Sequence, residues 1–132
     1  MNAVVKTSEC LMWEAPDESH RRMGLMYERD ITPTVNMSAG IVLIPPGKEQ
    51  PKLSVHDGEE IYYVVRGRGK FALGDSFVDI EAGSAVYVAK GTGHRAINTG
   101  DEEMELYWVN TPPVFGPVGG YLEFMKDWKR IR

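Results

Sequence analysis

From residue 38 onward the chain alternates short apolar runs with turn residues at nearly regular intervals. Gly40-Ile41-Val42-Leu43-Ile44 is rich in β-branched residues and is stopped by Pro45-Pro46-Gly47. Glu60 to Arg66 is the next run, closed by Gly67-Arg68-Gly69, which reads as a tight hairpin. Lys70 to Leu73, Ser76 to Ile80, Ser84 to Val88, His94 to Asn98 and Met104 to Asn110 follow, with breaks containing Gly or Asp between them. Short strands at this spacing, with almost no helical pattern, predict an all-β sandwich or barrel. The end of the chain differs. Leu122, Met125, Trp128 and Ile131 recur every three residues between Tyr121 and Ile131. That spacing predicts a short amphipathic helix after Gly119-Gly120, docked on the barrel or on a partner subunit. Residues 1–36 show no clean periodicity and are expected to form an N-terminal strand or arm wrapping a barrel core of about residues 38–110. Residues 111–132 would then be a tail and helix, and the whole chain a single domain.

Strand alternation places the side chains. Successive residues point to opposite faces, so Glu60, Tyr62 and Val64 share one face, and Ile61, Tyr63 and Val65 the other. By the same parity His94, Ala96 and Asn98 belong together, as do Met104, Leu106 and Trp108, and Ser54 lies in phase with His56. These sets predict a mostly apolar interior with a few polar groups at one end, the usual character of a small-molecule site.

Composition changes this picture little. A chain of 132 residues can bury a core without disulfides or structural zinc. A net charge of −4 argues against a nucleic-acid surface, which needs clustered Lys and Arg. Cys10 has no partner for a disulfide within the chain, which fits a reducing cytoplasm. No apolar run reaches the length of a membrane span.

The candidate chemistry lies in two stretches. His56-Asp57-Gly58-Glu59-Glu60 and Gly91-Thr92-Gly93-His94 sit on separate β-rich segments, so pairing in one barrel brings His56, Glu60 and His94 together. Two imidazoles and a carboxylate with coordination positions left open suit one divalent first-row metal ion, whether Fe, Mn, Ni, Zn or Co. Ser54, Gln50 and Trp108 are further candidate contacts. Ser54 is a neutral hydroxyl suited to bonding a metal-bound water, and Gln50 offers an amide oxygen if the chain bends inward. Tyr62, in phase with Glu60, is a candidate general acid or base, because a nearby cation depresses a phenol's pKa. Each has a plainer alternative: a satisfied core histidine, or a core tyrosine. His20 and Glu59 are read as surface residues.

Gly83, Gly91, His94 and Asn98 keep the spacing of the second motif of the RmlC-like cupin superfamily, with Ala89 where a proline usually stands. His56, Glu60 and Gly67 keep the latter part of its first motif, with Ser54 at the position of the first histidine. Over roughly Ser38 to Asn110 the chain therefore resembles a small single-domain cupin. The resemblance implies a double-stranded β-helix, or jelly-roll barrel, and a metal site at His56, Glu60 and His94. It implies a metal-dependent isomerase, lyase or decarboxylase acting on a small carboxylate, ketone or sugar-like molecule. The alternatives are an Fe(II)-dependent dioxygenase, or a degenerate, non-catalytic cupin that binds a small ligand. A homodimer is expected, since small β-proteins cover their sheet edges and two-fold dimers are the commonest closed assembly.

Overall fold

The computed structural model describes residues 3–28, 31–32, 34–112 and 120–132. Seven strands form one antiparallel sheet: β1 (Leu11–Glu14), β2 (Arg22–Tyr27), β3 (Ser38–Ile44), β4 (Glu59–Arg66), β7 (Ala85–Val88), β9 (Met104–Thr111) and β10 (Lys129–Arg130). Their order is β10-β1-β2-β3-β9-β4-β7. The remaining strands, β5 (Arg68–Leu73), β6 (Ser76–Glu81) and β8 (His94–Asn98), form a second sheet in the order β6-β5-β8. The main core lies between the sheets. Val64, Leu106 and Met104 from the large sheet meet Phe71, Ala96 and Ile80 from the small one. Burying each large apolar side chain of this set contributes roughly 1.5–3 kcal/mol. This is the expected jelly-roll architecture.

The Gly67 break is not a hairpin. β4 and β5 flank it, yet β4 pairs with β7 and β9 while β5 pairs with β6 and β8. The chain crosses there from one sheet to the other. Gly67 holds φ at +92°, and a Cβ on it would sit 3.0 Å from Met104 Cα, so neither backbone nor space admits a side chain. A glycine-rich turn between two strands marks a change of direction, and here that change is between sheets.

The N-terminal region contributes two full strands of the large sheet. Their period was hidden because the outer face is buried too. A second cluster of Cys10, Met12, Met26, Ile41 and Leu43 packs there, with Val5, Tyr27 and Tyr107 at its margin. β3 is buried along its whole length. Strands covered on both faces lose their polar alternation.

The C-terminal helix, α1, spans only Gly120–Phe124. Tyr121 and Met125 enter the core, while Leu122 and Ile131 stay exposed. After one turn the chain pairs with β1 as β10, aligning Trp13 with Arg130 and Glu14 with Lys129. Met12 N–H donates to Arg132 O at 2.9 Å, and Ile131 N–H donates to Met12 O at 2.8 Å. These ladder bonds on an open sheet edge outweigh extending a helix too short to be stable alone. The tail across 113–119, including the expected Gly119 boundary, lies outside the described residues. No helix among the described residues is long and apolar enough to cross a membrane.

Candidate metal centre

Glu60 stands near the start of β4 and opposes Val88 of β7 and Asn110 of β9. His94 opens β8 in the other sheet. His56 lies in the connection from β3 to β4, its carbonyl accepting from Gly91 N–H at 2.9 Å. Alternation along β4 buries Glu60, Tyr62 and Val64 and exposes Ile61, Tyr63 and Val65. Along β8 it buries His94, Ala96 and Asn98. The two sheets and the connection thus bring one donor atom from each of His56, Glu60 and His94 within 4.8 Å of one another.

The donor chemistry fits a cation. His94 is wholly buried, and its Nδ1 lies 3.0 Å from Thr92 O, an atom that only accepts. Nδ1 therefore carries the proton and Nε2 the lone pair. Nε2 lies 2.8 Å from Glu60 Oε1, yet neither atom has an aligned hydrogen bond. With the ring neutral, the contact is two acceptors side by side, and buried acceptors in that position call for a shared cation. His56 Nε2 is 3.5 Å from the same Oε1. Donors about 2.1 Å from one ion stand about 3.0 Å apart at a right angle and about 3.4 Å apart at the tetrahedral angle, so the two separations from Glu60 Oε1 are close to those of donors sharing an ion. Burial pushes the His56 imidazole below the usual histidine range; Glu60 opposes that shift and His94 adds to it. A ring kept neutral keeps a lone pair for a ligand.

Tyr62 is buried beside the triad, its ring 5.8 Å from that of His94 and 5.0 Å from that of Phe71. Burial pushes its phenol well above the usual tyrosine range, with the Glu60 charge and a hydrogen bond to Glu60 adding to the effect. Without a cation nearby, the hydroxyl thus stays protonated.

Ser54 lines the cavity with His56, and its backbone bridges His94 through bonds of 2.8 and 2.9 Å. Glu49 pairs with Ile97 and Ser54 with His94, so five residue steps on one strand oppose three on the other. This bulge brings Gln50 to the cavity wall, but the Gln50 Oε1 accepts from Ala96 N–H at 2.7 Å. That bond holds the amide oxygen on the backbone of β8. Trp108 lines the cavity. Its ring packs where a Cβ on Gly40, its cross-strand partner, would lie 2.7 Å away. His20 and Glu59 are exposed.

The inner chamber beside the triad has a volume of about 50 Å³, and its wall also includes Arg21, Met23, Tyr121 and Phe124. A water needs about 10–15 Å³ on this measure, so there is space for a few waters or a small molecule. An outer basin of about 400 Å³ shares Arg21, Gln50, Ser54, His56 and Phe124 with it and adds Lys52, Leu53 and Trp128. Arg21 was hidden in the charged run Asp17 to Arg22. Its one signal was parity, since it lies in phase with the interior residues Met23 and Leu25.

Residues 40–110 match the cupin domain model, and the chain belongs to the cupin family. An uncharacterised protein of Methanocaldococcus jannaschii is 27% identical over 79 residues, 60% of this chain and 63% of that one. The chain thus spans somewhat less than two thirds of that relative. A Thermotoga maritima oxalate-binding protein is 38% identical over 67 residues, 50% of this chain and 54% of that one. Among solved structures, a predicted oxalate decarboxylase from Thermotoga maritima superposes with a TM-score of 0.73 at 23% identity, covering 83% of this chain and 98% of that one.

Proposed function

We propose that His56, Glu60 and His94 hold one divalent first-row metal ion and that the protein is a metal-dependent enzyme acting on a small carboxylate, ketone or sugar-like molecule. Isomerisation, elimination and decarboxylation all suit the site. The carrying observation is the pair of buried acceptors, His94 Nε2 and Glu60 Oε1, 2.8 Å apart with no hydrogen bond. When bound, such an ion supplies Lewis acidity toward a carbonyl or carboxylate oxygen. The residues of the chain do the rest. Tyr62 Oη, protonated and hydrogen-bonded to Glu60, holds a proton to give to the reacting atom. Trp108, Val42 and Met23 form an apolar wall that limits water in the chamber.

A second reading is a non-catalytic binding protein. Ser54 in place of a ligating histidine favours it, and the Thermotoga maritima relative is named for binding oxalate. Free, buried Cys10 suits a reducing cytoplasm. A second copy of the chain is the natural cover for the outer face of β4, where Ile61, Tyr63 and Val65 are about half exposed beside Tyr87. The face with Met125 and Trp128, for which the sequence left the barrel or a partner subunit open, packs on the chain's own barrel and on Arg21.

Elemental analysis tests the metal. The native protein should carry one ion per chain, and His94→Ala should lose it. Stoichiometric metal in that variant, or none in the native protein, would contradict the assignment.

A further inference from the structure

Arg21 is a charged residue of the chamber wall that the metal reading leaves without a task. Its side chain is 10% exposed. Nη1 donates to Asp17 Oδ2 at 2.6 Å and to Ser19 Oγ at 3.1 Å, and the guanidinium carbon stands 4.9 Å from the Trp128 ring centroid. These contacts fix the plane and one corner of the group. Its other edge, Nε with Nη2, makes no hydrogen bond among the described residues, and Nε is fully buried. A buried N–H without an acceptor is unfavourable and rare, and it marks a place where an acceptor belongs. Trp108 Nε1, on the same wall, is a second buried donor without one among the described residues.

We propose that the Nε–Nη2 edge of Arg21 receives the carboxylate of a small organic acid, and that Arg21 therefore sets the substrate class. Two parallel N–H groups on one rigid edge match two carboxylate oxygens. The charge balance, which rests on the metal centre proposed above, points the same way. A divalent ion against Glu60, and Arg21 against Asp17, sum to one positive charge over these four groups. That charge matches a monocarboxylate and not a phosphate dianion. The geometry of the free edge stands with or without the ion.

The test uses glycolate, its neutral amide glycolamide, and inorganic phosphate as probes on Mn²⁺-loaded and dialysed metal-free protein. Titration calorimetry of the loaded wild type should show glycolate binding roughly tenfold to a hundredfold more tightly than glycolamide, the difference made by charge-assisted bonds. Arg21→Gln should erase that preference while elemental analysis finds its metal content unchanged. Arg21→Lys keeps the charge beside Asp17 but lacks the fork, and should retain only part of the preference. In ¹⁵N-labelled wild type the Arg21 Nε–H resonance should move on adding glycolate and stay still with glycolamide, a readout that needs no variant to fold. Glycolate binding that survives Arg21→Gln, phosphate or glycolamide binding as well as glycolate, or an unmoved Nε–H resonance would each overturn the assignment. Metal uptake is measured separately. A protein that takes up no metal but still shifts its Nε–H with glycolate would refute the metal centre and support the carboxylate edge.

Discussion

Glu60→Gln should make the metal-free protein more stable and the metal-loaded protein less so. In the chain without an ion, Glu60 Oε1 and His94 Nε2 are both buried and both unpaired. One such group costs about 1–3 kcal/mol. Glutamine conserves the volume, and its carbonyl still accepts the Tyr62 hydroxyl. Its amide N–H replaces an acceptor with a donor beside His94 Nε2, so that one substitution partners both atoms. The expected gain without metal is therefore about 1–3 kcal/mol, a rise of about 3–10 °C in Tm for a domain of this size. With metal present the order should reverse. Binding at a hundredfold excess over Kd stabilises the wild type by about 2.7 kcal/mol, and a neutral amide in place of the anion forfeits most of that. Calorimetric melts of dialysed protein, with and without excess Mn²⁺, read both effects. A Glu60→Gln protein that melts below the wild type without metal, or gains as much from Mn²⁺, would refute the acceptor–acceptor account.

Three further outcomes are expected. Tyr62→Phe should keep fold and metal but lower kcat by ~10²–10⁴-fold on a confirmed substrate if Tyr62 moves the proton, and unchanged turnover would retire it. Tyr63→Glu, on the outer face of β4, should turn a dimer into a folded monomer by light scattering; an unchanged mass would show that this face is not the interface. Burial works to raise the Asp17 carboxyl, but hydrogen bonds from Ser19 and Arg21 outweigh it and hold the group below the usual aspartate range. The unfolded chain then binds the proton more readily, so the contribution of Asp17 is complete above about pH 3.9 and is lost as pH falls through the lower folded value. Asp17→Asn should flatten that acid limb of Tm against pH, and an unaltered slope would contradict it.

The strands from β3 to β9 were legible because most have one wet face. Parity alone placed Glu60 with Tyr62 and His94 with Asn98, and motif spacing singled out His56, Glu60 and His94, which the fold brings within reach of one another. Three things were not legible, each for a physical reason. β1 and β2 are covered on both sides, which erases the alternation that announces a strand. Gly67 signals a turn without saying whether the next strand pairs with the last or crosses to the facing sheet, since long-range pairing decides that. Arg21 reads as solvated charge because its neighbours Asp17, Glu18 and Arg22 are charged; only the fold shows it turned inward against Trp128. Gln50 is a different case. The bulge that carried it to the wall also gave its oxygen a closer partner in Ala96 N–H.

The separation of the two halves of the chamber in the sequence bears on how such a protein changes over time. The triad comes from His56, Glu60 and His94, inside the region shared with other cupins. The opposite wall comes from the β1–β2 turn, through Arg21, and from the C-terminal helix, through Tyr121 and Phe124. Substitutions at the cavity-lining positions of those two terminal segments can reshape what enters while leaving the donor atoms where they are. Selection for a new ligand can thus act on the ends of the chain with little penalty at its middle, and a laboratory library aimed at altered specificity belongs at lining positions such as Arg21, Phe124 and Trp128.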